Sequence, residues 1–135
     1  MGQKYLIDTC AVIKYLENYF PPKALAFMDD LVDHDSKVSF ITKIELLVWK
    51  PSNVSDLKIR EEFLAGSEIL FVDDDIILRA IQVRQKTKIK LPDAIIAATA
   101  IVRNLILLSD NDKDFSKVEA LGLKYMNPKS SFTII

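Results

Sequence analysis

Short, mainly apolar runs alternate along this chain with longer stretches in which apolar residues recur at every third or fourth position. The short runs are Lys4 to Ile7, Lys37 to Ile41, Glu68 to Val72, Leu105 to Leu108 and Leu123 to Met126. Continuous apolar runs that stop abruptly at polar residues predict strands of a buried parallel sheet, delivering polar groups from their C-terminal ends. The longer stretches predict helices. Cys10 to Tyr19 carries Val12, Ile13 and Leu16 and stops before Pro21-Pro22; Lys23 to His34 carries Leu25, Phe27, Met28, Leu31 and Val32. Thr42 starts a helix with Ile41, Ile44, Val48 and Trp49 on one side, ended by Pro51-Ser52-Asn53. Ser55 to Ala65 is closed by Gly66, a long helix follows the cap Asp73-Asp74-Asp75, and Val118 to Leu121 is a short helix closed by Gly122. Asn127-Pro128 opens an exposed tail. Strands alternating with helices make an α/β domain with a parallel sheet. No linker, repeat or low-complexity segment divides residues 1–135, which form one domain.

The stretch from Lys90 to Ala100 reads as the opening of a buried helix. Proline suits a first turn, where its missing N–H would have had no partner. Ala94, Ala97 and Ala98 share a face that lets another backbone approach closely. Asp93 is the one acid in this run, and complementing the helix dipole, worth about 0.3–1 kcal/mol, would by itself account for it.

Composition narrows the function classes. Half of the 135 residues are hydrophobic, enough for a full core, and no apolar run reaches the roughly 18 residues needed to cross a bilayer. No signal-peptide pattern opens the chain, and the single cysteine, Cys10, fits a reducing cytoplasm. A net charge of −1 argues against a general nucleic-acid coat, yet allows an enzyme with acid in a pocket and base around it. The basic stretch from Arg84 to Lys90 is either a solvated helix end or a rail for a phosphate backbone.

Acids recur where strands end. Asp8 follows the first strand, Glu45 the second, Asp93 opens the helix before the fourth, and the Asp110–Asp114 cluster follows the fourth. In open α/β sheets that edge is where ligands bind. Each acid has a local excuse; Glu45, for example, completes a Thr42-x-x-Glu45 capping box. Four on one edge share none. Carboxylates packed together repel unless one protonates or a cation neutralises them. Oxygen-only donors favour Mg2+ or Mn2+ over zinc. The Asp110-x-Asp112-x-Asp114 spacing is not a calcium loop, because Phe115 and Leu121 stand where such a loop needs glycine and glutamate. His34, between Asp33 and Asp35, reads as a solvated helix end.

Four segments in this order resemble a known family: Leu6-Ile7-Asp8-Thr9, Ile41 to Leu47, Leu91 to Ala100 and Ser109 to Phe115. The chain is similar to PIN domains, specifically the small VapC-type toxin ribonucleases of toxin–antitoxin pairs. The resemblance implies a three-layer α/β/α sandwich with a five-stranded parallel sheet. It implies acidic ligands at Asp8, Glu45, Asp93 and Asp114, with Thr9 and Ser109 as hydroxyls beside them. Asp112 is an alternative or additional fourth acid. Cys10 stands where the family commonly has asparagine or another small polar residue, and Asp110 where a basic residue is common.

The resulting expectation is a magnesium-dependent endoribonuclease that hydrolyses RNA phosphodiester bonds with metal-activated water, imidazole being absent from the site. Two other readings compete with it: a catalytically silent binding protein of the same fold, and a phosphorylatable receiver. The resemblance also implies a homodimer and a cognate antitoxin. The aromatics Tyr15, Tyr19 and Phe20 are a candidate apolar patch for such contacts.

Overall fold

The computed structural model describes residues 2–48 and 54–132. Its strands are β1 (Tyr5–Ile7), β2 (Lys37–Ser39), β3 (Glu68–Leu70), β4 (Ile106–Leu108) and β5 (Lys124–Met126). Its helices are α1 (Thr9–Leu16), α2 (Pro22–Asp35), α3 (Phe40–Val48), α4 (Val54–Ala65), α5 (Asp74–Lys86), α6 (Leu91–Val102), α7 (Asp112–Phe115) and α8 (Pro128–Ser131), with a 3-10 helix over Ser116–Leu121. The alternation of strand and helix is the one that the apolar pattern predicts.

All strand pairs are parallel, but the expected single five-stranded sheet is not formed. One ladder runs β1-β4-β5 and a second pairs β2 with β3. β1 and β2 lie alongside each other without a ladder between them. Each strand has only three residues, so it can offer very few bonds to a neighbour, and the ordinary twist between strands is enough to part them.

Pleating explains why both faces are covered. Leu6 of β1 and Leu107 of β4 point into a core with Val83, Ile96, Ala97 and Phe115. Their neighbours Ile7 and Leu108 point the other way, into a core with Val12, Ala24, Met28 and Leu46. Helices therefore flank the strands on two sides. α5 packs on α6 through small side chains, with Ala80 and Ala98 in one buried cluster with Ile76. Ala94, Ala97 and Ala98 are fully buried, as their spacing predicts, and Ala100 is buried with them.

Several boundaries move. α3 starts at Phe40, so Thr42 lies inside the helix and does not cap it; Ser39 Oγ accepts from the Ile41 N–H at 3.1 Å instead. The predicted capping box is therefore displaced. Trp49 and the expected stop at Pro51-Ser52-Asn53 lie outside the described residues. Asp112 to Phe115 form a helical turn capped by Asn111, whose Oδ1 accepts from the Asp114 N–H at 3.4 Å. Asn127 and Pro128 do not open an exposed tail: both are buried, and Asn127 caps α8 by accepting from the Lys129 N–H at 2.9 Å.

Candidate active site

The C-terminal ends of β1 and β4 and the N-terminal end of α6 frame a cleft of about 490 Å³, lined by Asp8, Thr9, Cys10, Glu45, Asp93 and Asp110, among others. Asp8 occupies the N-cap position of α1, yet its side chain makes no capping bond. Its Oδ2 accepts instead from Ser109 Oγ at 2.8 Å and from Cys10 Sγ at 3.1 Å. Those contacts join the end of β1 to the end of β4. Asp8 is only 4% exposed, and burial pushes its carboxyl above the usual range, a shift that the Cys10 and Ser109 hydrogen bonds oppose.

The other acids arrive from separate elements. Thr9 Oγ1 donates to Glu45 Oε1 at 2.6 Å and lies 2.9 Å from Thr42 Oγ1, which ties α3 to α1. Asp93, in the first turn of α6, is pushed up to about 6, first by burial and then by the charges of Asp8, Glu45 and Asp114, with Lys90 acting against them. Asp93 alone therefore reports that these four acids share one field. Dipole complementation would lower its pKa; the shift is the opposite, so burial and the neighbouring acids together outweigh the helix end.

Asp114 and Asp112 part company. Asp114 Oδ2 accepts from Asn111 Nδ2 at 3.1 Å, and the adjacent Phe115 is fully buried and anchors the turn. Asp112 is exposed; its Oδ1 takes the Tyr125 hydroxyl and, at 3.1 Å, Asn127 Nδ2. Asp110 is held low by Lys14 and by Asn127, whose Nδ2 donates to Asp110 Oδ1 at 2.8 Å. So the fourth acid that Asp93 senses is Asp114, while Asp112 belongs to a buttress under the loop.

Reasoning from the sequence missed the supporting residues. Asn111, Tyr125, Asn127 and Lys14 were assigned no role, although an asparagine before an acid-rich turn is a legible cap. Cys10 was noted only as a departure, and it proves to be a hydrogen-bond partner of both Asp8 and Ser109, 3.2 Å from the latter. Burial and the Asp8 charge push its thiol up to about 12. Residues set aside as structural are structural: Asp73 accepts from the Ile76 N–H at 2.9 Å, and the exposed His34 sits at the end of α2 on the Asp30 carbonyl.

The donors around the cleft are hard oxygens, which suit Mg2+ or Mn2+. As placed they stand around the cleft: among the described residues no three acidic, histidine or cysteine side chains close on one point. The charges of three carboxylates act on Asp93, with Lys90 opposing them. Donor chemistry and charge both fit a divalent cation.

Comparison with known proteins places the chain in a family. The chain is 28% identical over 128 residues to Ribonuclease VapC1 of Methanocaldococcus jannaschii, covering 90% of this chain and 85% of that protein. It is similar in fold to a toxin–antitoxin complex from Klebsiella pneumoniae, with TM-score 0.72 and 27% identity over 93% of this chain and 98% of the other. It is also similar in fold to DNA-bound VapBC from Salmonella typhimurium, with TM-score 0.78 and 21% identity over 94% and 99% of the two chains. The profile of the PIN domain matches residues 5–121, and the chain belongs to that family.

Proposed function

We propose that this protein is a magnesium-dependent endoribonuclease of the VapC type, the toxin of a toxin–antitoxin pair. The observation that carries the reading is the convergence of Asp8, Glu45 and Asp93 on one cleft from three elements of the fold, where Asp93 is pushed up to about 6 first by burial and then by the charges of Asp8, Glu45 and Asp114. The relatives named ribonuclease and toxin–antitoxin complex add to it.

Asp8, Glu45, Asp93 and Asp114 would hold the cation. When bound, such an ion neutralises the phosphodiester and lowers the pKa of water, so that hydrolysis can proceed near neutral pH. Ser109 and Cys10 fix the direction of Asp8, and Thr9 fixes Glu45. Asn111 holds Asp114 through its side-chain amide. Water adds to phosphorus, the bond to the leaving oxygen breaks, and that oxygen takes up a proton. The buried floor around Asp8 strengthens each of these electrostatic contacts relative to open water.

The partners in this reading are an RNA substrate, a cognate antitoxin and a second copy of the chain. The predicted aromatic patch does not supply the contact surface: Phe20 is buried and Tyr15 hydrogen-bonds Asp29, so Tyr19 alone is exposed. Exposed apolar residues cluster elsewhere, around a groove of about 510 Å³ beside α5 and α6 that includes Phe40, Val72, Ile77, Ile81 and Leu91. No described helix is long and apolar enough to cross a membrane.

Cleavage of a labelled RNA tests the reading. Wild-type protein should cut it with magnesium and not with EDTA, and Asp93→Asn should lower the rate by at least about a hundredfold. A wild-type rate in Asp93→Asn removes the metal site; cleavage by neither, with RNA still bound, leaves the silent binding protein.

A further inference from the structure

Tyr19 is an exposed aromatic near the cleft that the catalytic reading does not use. Its ring is 52% exposed, although the next residue, Phe20, is buried at 4% and meets it edge-on at 6.1 Å. The backbone that carries the ring is also held in place. Asn18 takes the left-handed conformation at φ 56°, and the Tyr19 N–H donates to the Lys14 carbonyl at 2.9 Å. Two ammonium groups from opposite ends of the chain meet at this ring. Lys14 Nζ stands 4.9 Å from the ring centroid, and Lys129 Nζ stands 5.9 Å from it. Lys14 also pairs with Asp110, which lines the cleft, and the charge of Lys129 acts on the same carboxylate. The cluster therefore adjoins the acidic cleft.

We propose that Tyr19, framed by Lys14 and Lys129, is a stacking subsite for one nucleotide of single-stranded RNA entering the acidic cleft. The inference rests on the nuclease reading for its substrate. An acidic cleft repels phosphate, so a strand must be held by cations on its flanks. Lys90 supplies one flank, since its charge acts on Asp93. Lys14 and Lys129 supply the other. A half-exposed ring with two flexible ammonium groups over it matches what an unpaired nucleotide presents: a lysine that swings from the ring to the phosphate leaves a flat face for the base, without reading sequence. Duplex RNA offers no free base face to such a ring.

Binding of a fluorescein-labelled single-stranded RNA, followed by anisotropy in EDTA so that no cleavage occurs, tests this. Tyr19→Ala should weaken binding by about tenfold, while Tyr19→Phe and Tyr19→Trp keep it. Lys129→Ala should reduce the salt dependence by about one phosphate contact. With magnesium present, the loss in Tyr19→Ala should fall on KM rather than on kcat. Retention by the phenylalanine variant separates stacking from a folding defect. Wild-type affinity in Tyr19→Ala overturns the subsite, as does a wild-type protein that binds no single-stranded RNA. Cleavage that is intact but indifferent to Tyr19 removes the subsite and leaves the nuclease; Tyr19-dependent binding without cleavage removes the nuclease and leaves the subsite.

Discussion

At the residue scale, the same residue type plays opposite parts according to what surrounds it. Asp73 and Asp8 both precede a helix, but Asp73 caps α5 while Asp8 is drawn onto Ser109 and Cys10 and caps nothing. The cost of that choice is visible in titration. Folding raises Asp93 to about 6, against a value near 3.9 in an unfolded chain. Between those values the folded state holds the extra proton, so metal-free stability rises as pH falls through 6 and is lost as pH rises. The metal-free midpoint of thermal unfolding should be higher at pH 5 than at pH 7.5. His34 is raised as well and acts in the same direction. The comparison with Asp93→Asn isolates the effect, because the variant should show a smaller pH dependence. Added magnesium should do the reverse, stabilising more at pH 7.5, where no proton competes with it. An identical pH dependence in wild type and Asp93→Asn would show that Asp93 is not crowded.

At the scale of elements, the turn α7 decides which of Asp112 and Asp114 acts on Asp93. Asn111 caps it and holds Asp114, Phe115 plugs it into the core, and Asp112 is left to Tyr125 and Asn127. A pair two residues apart would share a direction in an extended loop, but a helical turn separates them by about 200°. Asp114→Ala should therefore weaken magnesium binding in calorimetry by at least about tenfold, in line with loss of a charged partner. Asp112→Ala should leave magnesium affinity near wild type and instead lower the melting temperature, because it strips the Tyr125 and Asn127 buttress. Comparable losses of affinity in both variants would mean that Asp112 also serves the metal.

On the scale of the whole molecule, the acids gather at the strand ends, while one group of large exposed apolar residues, Phe71, Ile77, Leu78, Ile81 and Leu91, lies on or beside α5 and α6. A surface of that kind in a protein with half its residues hydrophobic is a candidate for self-association. Sedimentation at micromolar concentration should give a mass twice the 15.3 kDa of the chain. Ile81→Glu should shift it toward monomer without unfolding the protein, since that side chain is 48% exposed. A monomer at every concentration would refute the homodimer.

What the sequence determined by itself were the features that depend on near neighbours. Apolar period located the strands and helices, Pro92 and the alanines identified α6, and the segments around Asp8, Glu45, Asp93 and Asp114 carried the family resemblance. Tertiary structure decided what depends on distance and direction. The five strands became two ladders because three-residue strands leave little to bridge. The supposed tail became α8 because Asn127 found Asp110 and Asp112 to bond and Lys129 to cap. Tyr19 acquired two cations because a lysine from the far end of the chain came to rest beside it. Periodicity assigns a residue to a face; only the packed chain supplies its partner, since hydrogen bonds and charge couplings act over a few ångströms of space and not along the sequence.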